Sequence, residues 1–500
     1  MTDIITSLYS DWQYVAPELL VIITALLIML RELIPSKEDN SIWNVYITVT
    51  GLLASALIII VNWQYSITYP FLANLIIDPV GDFFNLLFIL SLLTTVIISS
   101  DFFKKSNLFR TDYLILLLGA LLGFMIIAKA NNLITLFIGL ELFSISLYIL
   151  CGFYSKAKDE EVSTSLLRRI ALSQESALKY LLLGAFASAI LLYGLALLYG
   201  ASGTTNIQDI ALYLKNNNGV ASPMFLLGLG FFLVGFCFKL AVVPFHSWAP
   251  DVYEGAPTPI TALMSFATKG ALFAVGIHVL YNSLHDLYQY WFPVLYILAA
   301  LSMLAGSVAA LRQKNLKRML AYSSISHAGF LLIPVVAFSN EANSSLLFYL
   351  LVYLLMNMGA FAVIMAIEHD KGTDDVTFAD LRGLYKKHPL LAGTLIVFML
   401  SLAGFPPTAG FIAKFYVFMT AINSGFYLLV VTAAVSSMIS VYYYFKVIYY
   451  ATSQEEDEKV TPMPINLAIT SVALSFAVIL FFIGINPQPI TDLTESIVFF

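Results

Sequence analysis

Charge is what this 500-residue sequence has least of. Asp, Glu, Lys and Arg make up 11% of it, less than half of the roughly 25% found in soluble domains. Disordered chains, charged tails and nucleic-acid-binding surfaces all need more, so these classes are excluded. Cysteine is nearly absent too. Cys151 and Cys237 both lie in apolar runs, which excludes a disulfide scaffold, a zinc module or an iron–sulfur cluster held by this chain. No Gly-rich turn follows a strand-like segment, so no nicotinamide or flavin site is expected. No Lys or Arg precedes the first apolar stretch. The basic start of a cleaved signal peptide is therefore missing, and the first helix is expected to stay in the mature protein. What remains is apolar: 60% of the residues and a mean hydropathy of +0.86, more than a soluble core can hide from water.

The apolar residues fall in stretches of about 20, enough to cross a bilayer as helices, and an unpaired strand edge has no place in lipid. The fold class read from this is all-α, a polytopic membrane protein of about fourteen transmembrane helices. The spans fall near 14–33, 42–61, 81–99, 113–130, 132–153, 173–200, 222–249, 258–281, 291–311, 319–338, 345–368, 389–422, 424–450 and 464–485. Of the 25 Lys and Arg residues, 19 follow odd-numbered spans, two (Lys129 and Lys215) follow even-numbered ones, and four lie inside spans. Basic loops stay in the cytoplasm, so both termini are expected outside. The acidic run Glu455–Glu458 reads as a solvated loop.

The four internal cations are Lys179, Lys239, Lys269 and Lys414, in the sixth, seventh, eighth and twelfth spans. Glu141 stands against them in the fifth. Each such charge costs about 2.5–3.5 kcal/mol at the bilayer centre. Lys179 has Glu175 one turn earlier, where a local ion pair would suffice, and a static Glu141–Lys179 pair is another inert reading. Snorkelling to the interface is the inert reading for the other three. Lys269, however, lies about twelve residues into its span, roughly 18 Å deep. A desolvated lysine exchanges its proton more readily, and a nearby carboxylate opposes this. Glu141 beside a series of lysines therefore points to a proton relay. Ammonium groups and so few oxygen ligands do not suit a metal ion.

Two spans are interrupted beside a lysine. Pro244 follows Lys239 in the seventh, and Pro406 and Pro407 precede Lys414 in the twelfth. Proline removes an amide donor and opens the helix, and open backbone at membrane depth must be buried or line a wet cavity. The breaks are five spans apart, an odd number, so equivalent helices would cross in opposite senses, as in an inverted repeat. One integral membrane domain over 1–500 is expected: a three-helix segment (1–112), two inverted five-helix repeats (113–281 and 291–450) with broken seventh and twelfth helices, and a last helix (464–485). The repeat is imperfect, because Lys269 has no basic counterpart in the thirteenth span. His327 in the tenth is the positional partner of Glu141; it is a possible bridge between halves or a hydrogen-bonded packing residue.

The string Phe245-His-Ser-Trp-Ala-Pro-Asp-Val-Tyr-Glu-Gly-Ala-Pro-Thr-Pro-Ile-Thr-Ala closely resembles the seventh-to-eighth-helix signature of the antiporter-like subunits of respiratory complex I (NADH-quinone oxidoreductase). Its Pro-Asp-Val-Tyr-Glu-Gly-Ala-Pro-Thr-Pro form is most similar to the N branch of that family, and the likeness runs from about 113 to 450. The resemblance implies a proton-pumping membrane-arm subunit of the bacterial inner membrane with no redox centre of its own. FMN, iron–sulfur clusters and quinone would reside in partner subunits. It also implies that Glu141 pairs with Lys179, that Lys239 and Lys269 form the central path, and that Lys414 serves the exit side. The M branch carries Glu at the Lys414 position, and the L branch continues into a long lateral helix. The competing reading is a subunit of a multi-subunit cation/proton antiporter or a related membrane hydrogenase complex; an antiporter would need clustered carboxylates for its cation.

Overall fold

The computed structural model describes residues 11–33, 41–63, 67–104, 111–154, 164–371, 375–453 and 467–497. The acidic run Glu455–Glu458 and the loop cations Lys37, Lys105, Arg110, Lys156, Lys158 and Lys459 lie outside them. Among the described residues, thirteen helices are long and apolar enough to cross a membrane. The stretch read as the twelfth span is instead two short apolar helices, Pro389–Ala403 and Ala409–Asn423. The other span helices run Ala16–Glu32, Ser41–Val61, Pro79–Lys104, Thr111–Ala128, Leu133–Cys151, Thr164–Ser202, Pro223–Leu240, Thr258–Val275, Tyr288–Leu311, Leu316–Ala337, Asn340–Lys371, Tyr427–Thr452 and Leu467–Ile485. The eighth is buried along its whole length, and the tenth and eleventh nearly so. These three form the central axis.

Both breaks end a helix through a left-handed residue. The seventh span stops at Leu240 because Ala241 turns to φ 57°, an unfavourable conformation for a residue with a Cβ. An irregular stretch then leads to the short helix Trp248–Gly255 in the connection to the eighth span. The first half of the twelfth stops at Gly404, φ 79°. Glycine is required there twice over, for the angle and because a Cβ would lie 2.7 Å from Cδ of Lys414. The seventh span, expected to run to residue 249, ends nine residues sooner at Leu240, three residues before Val243 and four before Pro244.

Features of the first half recur five spans later. Asn132 caps the fifth span by accepting from Ile134 N at 2.8 Å, and Asn315 caps the tenth by accepting from Arg318 N at 3.1 Å. The fifth begins with Leu133 N donating to Thr205 O at 2.8 Å, after the sixth span. The tenth begins with Leu316 N donating to Val376 O at 2.9 Å, after the eleventh. Glycines bring paired backbones together in both halves. A Cβ on Gly123 would lie 2.5 Å from Phe143 N, between fourth and fifth spans. One on Gly329 would lie 2.7 Å from Ala299 O, between ninth and tenth. Such close approach is how helices associate in lipid.

Gly329→Leu is therefore expected to cost about 1–3 kcal/mol through overpacking, read as a lower melting temperature of the purified protein. Gly230→Leu is the control, since a Cβ there meets nothing within 4 Å. Equal melting temperatures for the two variants would show that the close contact carries no stability.

Candidate proton-relay site

The breaks explain where three of the lysines sit. A helix that ends leaves its last carbonyls without amide partners, with the negative end of the helix dipole pointing the same way. At the seventh-span break, Trp248 Nε1 donates to Phe238 O at 3.0 Å and Lys269 Nζ, from the eighth span, donates to Leu240 O at 2.9 Å. At the twelfth, Lys414 Nζ donates to Ala403 O at 2.9 Å and to Ser437 Oγ at 3.2 Å. Lys269 and Lys414 thus perform the same task, one at each break, although they lie on non-equivalent spans. Both lysines are buried.

Lys239, in the last turn of the seventh-span helix, is also buried. Its Nζ donates to Ser144 Oγ at 2.8 Å and to Tyr148 Oη at 3.2 Å on the fifth span. Glu141, Ser144 and Tyr148 are spaced i, i+3, i+7 and so share one helix face. Glu141 keeps one oxygen, Oε1, buried with no hydrogen-bond partner among the described residues. None of the three central lysines forms an ion pair with a carboxylate among the described residues.

Lys179 is placed elsewhere than the resemblance implies. Its Nζ pairs with Glu175 Oε1 and Asp251 Oδ2, both at 2.8 Å, and its side chain is 40% exposed. The neighbouring Tyr180 packs edge-on against Tyr148 with ring centroids 4.6 Å apart. Glu141 lies two turns from Tyr148 along the fifth span, roughly 10 Å. The structure therefore brings Lys179 to Asp251 rather than to Glu141. Asp251 also accepts from Arg318 Nη1 at 2.8 Å, and the same nitrogen donates to Glu254 Oε2 at 2.7 Å. The connection helix is thereby tied to both the sixth and tenth spans.

His327 sits at the centre of the second half. Its Nδ1 lies 2.7 Å from Tyr349 Oη and its Nε2 3.1 Å from Tyr444 Oη, and Tyr444 hydrogen-bonds Ser323. Its ring packs 5.2 Å from that of Tyr353, whose hydroxyl donates to Ser265 O at 3.3 Å. Ser265 is one turn before Lys269 on the eighth span, so Tyr353, packed against His327, lies between the histidine and the turn that precedes Lys269. Pro244 lies in the irregular stretch after the seventh helix, and Pro406 and Pro407 lie between the two halves of the twelfth.

Sequence reasoning missed two buried ion-pair clusters. Lys129, read as a loop cation, is 2% exposed and reaches Glu18 Oε1 at 3.1 Å and Asp82 Oδ1 at 3.3 Å. Lys317, also read as a loop cation, is 1% exposed and lies 3.8 Å from Glu368 Oε1. The available signal was the acids: Glu18, Asp82 and Glu368 all fall inside apolar spans. Among the described residues, no group of three or more His, Cys, Asp or Glu is placed to hold a metal ion.

Residues 130–440 match the family described as NADH:quinone oxidoreductase/Mrp antiporter, TM. The chain is 40% identical over 416 residues to NADH-quinone oxidoreductase subunit N of Trichlorobacter lovleyi, covering 83% of this chain and 82% of that one. Among solved structures, a chain of respiratory complex I from Thermus thermophilus with bound aureothin matches at 32% identity and a TM-score of 0.77. That match covers 95% of this chain and 98% of the other. A chain of the Mrp complex from Dietzia sp. has the same fold (TM-score 0.76, covering 99% and 97%) at 20% identity.

The Asp251 cluster generates a pH prediction. Burial alone would raise its carboxyl, but hydrogen bonds from Lys179 and Arg318 more than reverse this and hold it below the usual 3.8. A carboxyl depressed on folding contributes stability above its ordinary value and loses it as pH falls below. Backbone hydrogen exchange in Trp248–Gly255, corrected for its intrinsic rate, should stay flat from neutral pH to about 4 and rise below that. Asp251→Asn should exchange faster at neutral pH, the difference from the native chain shrinking below about pH 4. Unchanged exchange in that variant would mean the ion pairs do not hold the connection helix.

Proposed function

The chain belongs to the NADH:quinone oxidoreductase/Mrp antiporter transmembrane family, and from that premise we propose that its buried lysines carry protons for an NADH-quinone oxidoreductase. It is a multi-pass membrane protein and acts as a membrane-arm subunit of that translocase, alongside other membrane-arm and peripheral subunits. FMN, iron–sulfur clusters and quinone belong to the partner chains, where electron transfer takes place. The basic loops face the cytoplasm of a bacterial cell, the membrane is the inner membrane, and both termini lie outside.

The observation that carries this reading is the pair of freed helix ends, each capped by a lysine with no carboxylate partner among the described residues. A neutral carbonyl holds an ammonium group but does not neutralise it, so in a low-dielectric interior its charge responds to any other charge that moves nearby. Residues 113–281 and 291–450 then act as inverted halves; the repeated asparagine caps, glycine contacts and lysine-capped breaks support this arrangement. Protons enter near the Lys179–Asp251 cluster on the inner side and reach Lys239 beside Ser144 and Tyr148. They pass by way of Lys269 and His327 toward Lys414. Glu141, on the helix face that holds Lys239, biases the proton affinity of that lysine. Pro244, Pro406 and Pro407 keep the two breaks open. A cation antiporter would need clustered carboxylates around the central path, and the hydrogen-bond partners of Lys239, Lys269 and Lys414 are hydroxyls and carbonyls instead.

Lys239→Ala and Glu141→Ala are each expected to lower coupled pumping in proteoliposomes at least about tenfold, a modest share of what a positioned proton donor contributes, with assembly intact. Assembled complex bearing both changes and pumping its full number of protons per NADH would overturn the relay.

A further inference from the structure

The sixth span meets the fifth with a notch in its surface. Tyr180, Gly184 and Ser188 are spaced i, i+4, i+8 and so share one face of the Thr164–Ser202 helix. All three are buried, while Leu181, Leu182 and Leu183 between them are exposed. The ring of Tyr148, from the fifth span, is set into this face. Tyr180 meets it edge-on, with centroids 4.6 Å apart, and is itself stacked on Trp248 at 4.8 Å. Ser188 flanks the Tyr148 hydroxyl. Gly184 supplies the space that the hydroxyl occupies: a Cβ there would collide with Tyr148 Oη and lie 2.8 Å from Cζ.

That hydroxyl is one of the two side-chain partners of Lys239, whose Nζ donates to it at 3.2 Å and to Ser144 Oγ at 2.8 Å. The ammonium group also stands 5.6 Å from the centre of the Tyr148 ring. The ring has little room to move aside. Tyr180 closes one side, and its stacking partner Trp248 is anchored by Nε1 to Phe238 O at 3.0 Å, beside Lys239 in the chain. A side chain at position 184 would therefore push the hydroxyl either out of hydrogen-bond range of Lys239 or against it. In both cases the ammonium group loses its present seat between two hydroxyls. Glycine weakens a helix interior, and Gly184 stands near the middle of a 39-residue helix, where the seating of Tyr148 supplies the local reason for it.

We propose that Gly184 is a positioning residue for proton exchange at Lys239: the space it leaves on the sixth span holds the Tyr148 hydroxyl within hydrogen-bond reach of the ammonium group. The inference rests on the relay reading and adds to it a residue that carries no titratable group and acts only through Tyr148. Its importance follows from what the hydroxyl is. A phenol both donates and accepts, so it holds the charged form of Lys239 as an acceptor and can turn its own proton toward the neutral amine. A serine at the same distance could do the same, but Tyr148 is the longer side chain and reaches Lys239 only if the neighbouring helix gives way where Gly184 stands.

The test is a double-mutant cycle in the whole complex, reconstituted in proteoliposomes, with the pH profile of pumping and the melting temperature both measured. Gly184→Ala is expected to reduce pumping severalfold and to displace the pH profile, and Tyr148→Phe to displace it in the same direction. In the Tyr148→Phe background, Gly184→Ala should reduce pumping by less than a further twofold, because the hydroxyl through which it acts is already gone. Gly194→Ala is the structural control on the same span. Its Cβ would lie 2.7 Å from Phe232 N of the seventh span, so it should lower the melting temperature and leave the pH profile in place. If Gly184→Ala alone does not assemble, assembly restored by adding Tyr148→Phe locates its effect at the hydroxyl; failure of both to assemble places it in backbone packing and overturns the proposal. A native pH profile in Gly184→Ala, or losses that simply multiply in the double variant, also overturns it. Lys239→Ala separates the two claims. If it abolishes pumping while Gly184→Ala pumps as the native complex does, only the positioning role is wrong; if Lys239→Ala pumps normally, the relay itself has failed.

Discussion

A helix opened inside a membrane exposes carbonyls that no water can reach, and everything at the centre of this chain follows from how they are satisfied. Cap amides reach Cys237, Phe238, Leu400 and Ser401 at the two breaks, and lysines reach the carbonyls of Leu240 and Ala403. Lys269 reaches the end of the seventh-span helix and Lys414 the end of the first half of the twelfth. The arrangement cures one problem by keeping another: the carbonyl gains a donor, and an ammonium group stays in the interior without a counter-ion among the described residues. Full neutralisation by a carboxylate would have made a stable and unresponsive pair. Partial satisfaction by neutral oxygens leaves the charge sensitive to its surroundings.

The protein distinguishes these lysines from cations that only hold helices together. Lys129 between Glu18 and Asp82, and Lys317 near Glu368, are paired with carboxylates and lie where neighbouring spans meet. The Lys179, Asp251 and Arg318 cluster fastens the connection helix between the two halves. Lys239, Lys269 and Lys414 instead meet serine, tyrosine and main-chain oxygen. His327, flanked by Tyr349 and Tyr444, joins these groups through neutral hydroxyls that can both donate and accept.

The spans, the breaks and the charged residues inside them were legible in the sequence, because apolar length, proline and misplaced charge are local signals. Contacts between spans were not. Thirty-eight residues separate Glu141 from Lys179, and nothing in that spacing says that Asp251 takes the lysine. Lys269 and Lys414 looked non-equivalent because they lie on different spans; their equivalence appears only when the carbonyl each one caps is known. Lys129 and Lys317 were counted as loop residues because they stand at span ends, where only the partner acid decides whether a lysine turns inward. The hydroxyls of Ser144, Tyr148, Tyr349 and Tyr444 carry no sequence signal, since serine and tyrosine are common throughout these spans.

The account depends on the central lysines changing protonation as the complex works. Infrared difference spectroscopy on complex carrying ¹⁵N-labelled lysine, triggered by NADH in the presence of quinone, tests this directly. The ammonium deformation bands are predicted to shift during turnover, with the isotope-sensitive part lost in Lys239→Ala and Lys269→Ala. A turnover spectrum with no lysine bands, from complex that is pumping normally, would contradict it.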